Sequence, residues 1–262
     1  MSETTKRAPI SVLLLVRDET RDVQELLPTL AFAAEVVVVW DPRGDRAARD
    51  AAEQLGARVF ERAFDGFGPQ RGFALAQCTQ PWVLWLDADE RLDAALTENL
   101  VDLANHARER TETHFQLRRV TWFLGRRIRY CGWNDEQIVR FFRRDAARFD
   151  DAPVHEQVHV QGCGPESTNG ELQHYSYRTW NDCMTKMLRY APANAAKAYA
   201  RGKRARAIDV LVRPQLRFVR MYLLQLGFLD GAHGLVLCML AATQVALKYA
   251  ELWDLSRNGS HR

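Results

Sequence analysis

Over its first hundred residues the chain alternates unbroken apolar runs with apolar positions at helical spacing. Ile10-Ser11-Val12-Leu13-Leu14-Leu15-Val16, Glu35-Val36-Val37-Val38-Val39-Trp40 and Trp82-Val83-Leu84-Trp85-Leu86 predict strands buried on both faces. Val23, Leu26, Leu27 and Leu30 repeat as one face of a helix, which Pro28 should kink or shorten. Ala47, Ala48, Ala51, Ala52 and Leu55 mark a second helix, stopped by Gly56, and Ala57 to Phe60 a short strand. Pro69 suits the first turn of a helix running to about Gln77. Leu96, Leu100 and Leu103 share one side of the helix after the Trp82 strand. Strand alternating with helix in this way predicts a parallel α/β sheet.

Beyond His106 the pattern changes. Phe115 to Phe123 and Gln137 to Arg144 read as strands, punctuated by Gly125, Gly132, Pro153 and Gly162, and predict a β segment covering the site. From Asn181 the spacing is helical, with Met184, Met187, Leu188 and Ala191 on one face. Two apolar segments follow, Leu216 to Leu229 and Leu235 to Leu247, separated by Asp230-Gly231-Ala232-His233-Gly234. The expected division is a nucleotide-binding and catalytic domain over 8–178 and a helical region over 179–257.

In parallel α/β sheets, ligands sit at the carboxyl ends of the strands. Three strands here end in acids at that edge: Glu19, Asp41, and the run Asp87-Ala88-Asp89-Glu90. Two carboxylates in an Asp-x-Asp pair can hold one divalent cation. The competing reading is a strand followed by a capping acid, with Asp89 or Asp93 opening the next helix. Convergence of acids at one edge favours the site, because like charges repel unless a cation or ligand sits among them. His155-Glu156-Gln157-Val158-His159 spells a zinc-protease pattern, which needs a helix. Pro153, Val154, Val158, Val160 and Gly162 favour a strand instead, where four residues span about 13 Å, too far for one metal. His155 or Glu156 can still reach the Asp87 and Asp89 site individually, the alternative being a hydrogen-bonded structural histidine.

Charge changes the picture only in its placement. The chain has 262 residues and a net charge of +3, but residues from Arg178 onward carry +9 and the first 177 carry −6. A basic C-terminal third suggests an anionic partner, and arginines 213, 217 and 220 edging an apolar helix suit a membrane surface. Nucleic acid fits less well, because the basic residues are interleaved with apolar runs rather than exposed aromatics. Five cysteines without Cys-x-x-Cys pairing point to a reducing compartment. No run reads as a clear transmembrane helix or a signal peptide, so a cytoplasmic location is expected, peripheral on the inner face of the membrane.

Several motifs together resemble the family-2 glycosyltransferases with the GT-A fold. They are Arg17-Asp18-Glu19, Val38-Val39-Trp40-Asp41, Phe67-Gly68-Pro69-Gln70-Arg71-Gly72 and Leu86-Asp87-Ala88-Asp89-Glu90-Arg91. Gly132-Trp133-Asn134-Asp135, Arg140-Phe141-Phe142 and Val154-His155-Glu156 look more narrowly like lipopolysaccharide inner-core β-1,4-glucosyltransferases. The resemblance implies a GT-A, Rossmann-like, mostly parallel sheet with helices on both faces. It also implies inverting transfer from a nucleotide-sugar donor, UDP-hexose by preference, to a saccharide or glycolipid hydroxyl. Glu19 and Asp41 would contact the base or ribose. Gln70, Arg71, Asp87, Trp133 and Gln137 would line the donor. Asp87 and Asp89, with His155, would hold Mg²⁺ or Mn²⁺. Asp135 would be the general base, and Arg140 would face the diphosphate. Transfer to a lipid phosphate, or a sugar-nucleotide-binding protein without catalysis, remain as alternatives. Two departures stand out: a shortened loop at Pro42-Arg43-Gly44-Asp45, and Gly72 where the family often has Asn.

Overall fold

The computed structural model describes residues 7–106, 110–133, 135–150 and 158–258. The first strands form where the apolar runs lie: β1 (Ala8–Val16), β2 (Ala33–Trp40), β3 (Arg58–Glu61) and β4 (Trp82–Leu86). Between them run α1 (Thr20–Leu26), α2 (Arg46–Gln54) and α3 (Phe67–Gln77). Pro28 has the predicted effect, since α1 stops at Leu26 and the chain tightens into a 3₁₀ turn over Leu27–Leu30. After β4 come β5 (Glu90–Leu92), α4 (Ala94–Asn105), β6 (His114–Phe123), β7 (Arg126–Ile128) and β8 (Glu136–Arg143). Then follow β9 (Ala147–Phe149), β10 (Val158–Val160), β11 (Glu166–Tyr177), α5 (Trp180–Ala200), α6 (Ala207–Val219) and α7 (Gly231–Asn258).

Among the described residues one sheet runs in the order β3-β2-β1-β4-β8-β6-β11-β5, with β7 beside β6. Pairing is parallel from β3 to β4 and antiparallel where β8 meets β4 and β6 meets β8. The strands expected to form a covering segment therefore extend the same sheet. Registers Val16↔Trp40 and Leu14↔Leu86 bring the ends of β1, β2 and β4 to one edge.

Alternation along the strands divides two cores. Ile10, Val12, Leu14, Trp82, Leu84 and Leu86 face α1, α2 and α4. Leu13, Val37, Val39, Val83 and Trp85 face α3 and the small β9–β10 ladder. All five residues of β4 are buried, and Trp82 stacks on Phe141 with ring centroids 4.8 Å apart. Helices thus cover both faces, as a strand without a polar side requires.

The chain divides into two compact units: Met1–Arg119 with Glu136–His174, and Val120–Asp135 with Tyr175–Arg262. The second holds the helical region expected from residue 179 and adds residues 120–135 to it. Its core gathers Phe123, Ile128, Cys131, Cys183, Met221, Leu237 and Cys238. There the buried Asp230 carboxylate accepts from the backbone N–H of Arg129 at 3.1 Å and of Tyr130 at 2.9 Å. The two apolar segments are separated where expected: a 3₁₀ turn over Gly227–Asp230 precedes the 28-residue α7, which starts at Gly231 inside the expected separator. The stretch Gly227–Asn258, with a mean hydropathy of 1.5 over its most apolar window, is long and apolar enough to cross a membrane by length and composition.

Candidate functional site

The turn after β4 is held by its own acids. The Asp87 N–H donates to Glu90 Oε2 at 2.9 Å, and the Glu90 N–H donates back to the Asp87 carbonyl at 3.0 Å. The capping role that competed for Asp89 falls to Asp93, whose Oδ1 accepts from the Leu96 N–H at 2.7 Å at the start of α4. Arg91 bonds the carbonyls of Ala88 and Asp22 at 2.7 and 3.1 Å, so it staples this turn to α1.

Onto the turn, β8 delivers Arg140 and α3 delivers Arg71, both buried. Arg140 Nη2 donates to Asp87 Oδ2 at 2.6 Å and to Glu90 Oε1 at 3.2 Å. Arg71 Nη2 lies 3.6 Å from Asp87 Oδ1, and Arg119 Nη1 lies 3.5 Å from Glu90 Oε1. The guanidinium carbons of Arg140 and Arg71 sit 3.8 and 4.1 Å from the centroid of the Trp85 ring. Cations over an indole face are attracted by its quadrupole, more strongly where water is excluded.

The titration behaviour follows from this packing. Burial pushes the Asp87 carboxyl up, but Arg140 and then Arg71 outweigh it and hold the group below its ordinary value. Burial dominates at fully enclosed Glu90 and raises it, with Asp87 adding to the rise and Arg140 opposing it. Burial works against the charge on Arg140, yet Asp87 and Glu90 more than compensate and raise its value.

Despite this neutralisation, polar atoms remain unsatisfied. Arg140 Nη1, Trp85 Nε1 and Gln70 Oε1 are buried without a hydrogen-bond partner. Buried polar atoms are nearly always satisfied in folded proteins, so the spare donor on this buried cation is available to water or to an anionic or oxygen-rich ligand. Arg140, with Arg71 beside it over Trp85, is thus a candidate anion seat at the strand-end edge of the sheet.

The other strand tips are stitched together. Glu19 Oε2 accepts from the N–H groups of Arg17 and Asp18 at 2.7 and 2.9 Å. Asp18 Oδ1 accepts from the Asp45 N–H at 3.0 Å. Asp41 is buried and clasped by Arg43, which donates from Nε at 3.0 Å and Nη2 at 2.8 Å. The Arg43 hydrogen bonds outweigh burial and lower the Asp41 carboxyl to about 2. Gly44 is required by close approach, because a Cβ there would meet the Arg17 carbonyl oxygen at 2.3 Å.

Asp87, Asp89, Arg71 and Arg140 thus converge in the first unit. Gln137 is exposed on β8, opposite Arg118. Asp135 and Trp133 belong to the second unit. Arg127 Nη2 donates to Asp135 Oδ2 at 2.8 Å, and Trp133 stacks on Tyr177 with centroids 5.9 Å apart. His155 and the Pro153 to Gln157 part of the protease pattern lie outside the described residues. The described remainder, Val158–Val160, is a strand.

His174 enters the site unannounced by the sequence. It pairs opposite Glu90 within β11, and its Nε2 lies 3.6 Å from Asp89 Oδ1. Among the described residues no group of three or more His, Cys, Asp or Glu side chains is arranged to hold a metal. Magnesium is ordinarily bound through one or two carboxylates, with substrate phosphates and waters completing its shell. Asp89 can supply one such carboxylate, whereas the neighbouring His174 imidazole is not a magnesium-type ligand. Asp87, already engaged by two guanidiniums, fits less well.

In α/β sheets of this kind ligands bind at the carboxyl ends of the strands, which is where these charged side chains gather. The glycosyl transferase family 2 profile matches residues 20–154, and the chain belongs to that family. It is 27% identical over 263 residues to a lipopolysaccharide core biosynthesis glycosyltransferase, LpsC, of Rhizobium meliloti, covering 93% of this chain and 94% of that protein. It is 22% identical over 256 residues to an uncharacterized glycosyltransferase, RP128, of Rickettsia prowazekii, covering 94% and 87%. A solved structure of S. aureus TarS superposes with a TM-score of 0.40 at 16% identity, covering 71% of this chain and 39% of that one.

Proposed function

We propose that this protein transfers a hexose from a nucleoside-diphosphate sugar, UDP-hexose by preference, to a saccharide hydroxyl in lipopolysaccharide core assembly, inverting the anomeric centre. The anion seat carries the reading: Arg140 is buried, held by Asp87 and Glu90, and keeps Nη1 unspent. The full-length similarity to LpsC supports the pathway.

In this reaction the acceptor oxygen bonds to the anomeric carbon as the bond to the diphosphate breaks. Arg140 and Arg71 would receive the charge that builds on the departing diphosphate. They are already oriented by Asp87 and Glu90, so little reorganisation accompanies the step. A divalent cation, Mg²⁺ or Mn²⁺, would be held through the Asp89 carboxylate and the donor's own phosphates, and would neutralise diphosphate charge. Asp135 would take the acceptor proton, a role drawn from the family resemblance, with Arg127 fixing its carboxylate. Glu19 and Asp41 would face the nucleoside from their strand tips.

The test is a thermal-shift screen of sugar nucleotides with and without Mn²⁺. A bound donor stabilises the folded chain. Arg140→Ala should abolish the shift, Asp89→Ala should remove its metal dependence, and Asp135→Asn should keep the shift while stopping transfer. Loss of the shift only in variants outside the seat would sink the reading.

A second reading is supported by the apolar C-terminal helices: the acceptor is a lipid phosphate. A phosphate acceptor needs no general base, so undiminished turnover by Asp135→Asn would favour it over the hydroxyl acceptor.

A further inference from the structure

The second unit presents apolar side chains outward along α6 and beyond. Ten of the nineteen large apolar residues exposed among those described fall between Ile208 and Leu229. Ile208, Leu211, Val212, Leu216, Val219 and Leu223 recur at the i, i+3, i+4 and i+8 spacing of one helix stripe. Leu211 is 64% exposed, Leu216 61% and Leu224, in the π turn that extends the helix, 76%. The other side of the same element is also apolar: Pro214 and Met221 are buried, and Phe218 is half-buried against the second unit's core. A surface helix normally turns polar residues to water, whereas this one is apolar on both sides.

Charge identifies what the outer stripe meets. Residues 201–224 contain seven Lys and Arg and a single acid, Asp209. Asp209 is bonded to Arg213 at 2.8 Å. Arg201, Lys203, Arg204, Arg206, Arg213 and Arg220 are exposed. An apolar stripe bordered by cations matches an anionic bilayer surface, where the stripe enters the acyl boundary and the cations meet headgroup phosphates.

We propose that α6 and the π turn after it form an interfacial membrane-binding element that seats this chain on anionic lipid. The inference is independent of the transferase reading. It places the chain on the surface through α6, and carbonate extraction separates this from a span through α7, which buries only part of its length.

The test is flotation of the full chain with phosphatidylglycerol-containing vesicles and with phosphatidylcholine vesicles. The expected result is recovery with the anionic vesicles, reduced by high salt and released by alkaline carbonate. Leu211→Glu with Leu216→Glu should weaken recovery by about tenfold or more, since two inserted side chains are lost. Both positions are exposed, so an unchanged melting temperature should accompany the loss. Arg213→Gln with Arg220→Gln should reduce the preference for anionic over neutral vesicles. The proposal is overturned by equal recovery with both vesicle types, by no recovery, or by retention through carbonate extraction, which marks a spanning helix. It is also overturned if the leucine variant converts a dimer to a monomer in light scattering while vesicle recovery stays unchanged, because the stripe is then a contact between copies.

Discussion

Glu90 carries more of the site than its place in an acidic run suggests. It is fully buried, accepts from the Asp87 backbone, and pairs with both Arg140 and Arg119. Glu90→Ala removes a partner from a buried guanidinium, a change that costs about 3 kcal/mol or more. Chemical denaturation should show a lowered midpoint with an unchanged slope. A second residue sets the acid limit. Glu35 accepts from Ser11 Oγ, from the Thr79 N–H and hydroxyl, and from Arg58. Burial pushes its carboxyl up, and these bonds overcome that and lower it from 4.5 to about 2. A depressed carboxyl stabilises the fold fully above its unfolded value and loses that contribution as pH falls from about 4.5 toward 2. The stability lost across this window should reach about 3 kcal/mol, and Glu35→Gln should flatten the profile. At this scale the sequence was uneven. Asp87 stood out as a candidate because a buried strand ending in acids is locally unusual, whereas Arg140 was suggested only by the family resemblance. His174 carries no such signal, because only the pairing of β11 with β5 brings it to Asp89.

At the scale of elements, the apolar runs were sufficient for β1, β2 and β4, because a strand with no polar face has to be covered on both sides. The position of β8 was not legible. Its antiparallel pairing with β4 depends on Phe141 and Phe142 meeting Leu84 and Val83 across the ladder. Phe141 also stacks on Trp82, and both are fully buried. Trp82→Ala should therefore cost about 3–5 kcal/mol, seen as a lower melting temperature. The loops obey a different constraint. At Gly44 the loop after β2 closes onto Arg17, so Gly44→Ala must push backbone against backbone. It should lower stability and weaken any ligand shift, measured together in one thermal melt. The shortened loop that looked like a departure from the family is thus closed by Arg43 on Asp41 and by Gly44 on Arg17.

For the whole molecule, the helical C-terminal region was visible from residue 179, but the part played by residues 120–135 was not. Phe123, Ile128 and Cys131 are buried with Cys183, Met221, Leu237 and Cys238, partners from far along the chain that no local pattern predicts. A chain ended at residue 178 would therefore leave Phe123 and Ile128 without their cover. It should bind a hydrophobic dye strongly and aggregate, whereas the full chain should do neither to the same degree. The charge asymmetry, −6 before Arg178 and +9 from it onward, belongs to the same scale. It gives the second unit's exposed arginines a long-range pull toward anionic surfaces that salt would screen.

The Trp85 indole lies against two guanidiniums. Its consequence is optical. Indole emission is sensitive to nearby charge, so any anion that draws Arg140 or Arg71 away should change the fluorescence of this one residue among the seven tryptophans. Subtracting the spectrum of Trp85→Phe would isolate that signal. The chain thus contains its own gauge of whether the seat is filled, readable without a label or a turnover assay.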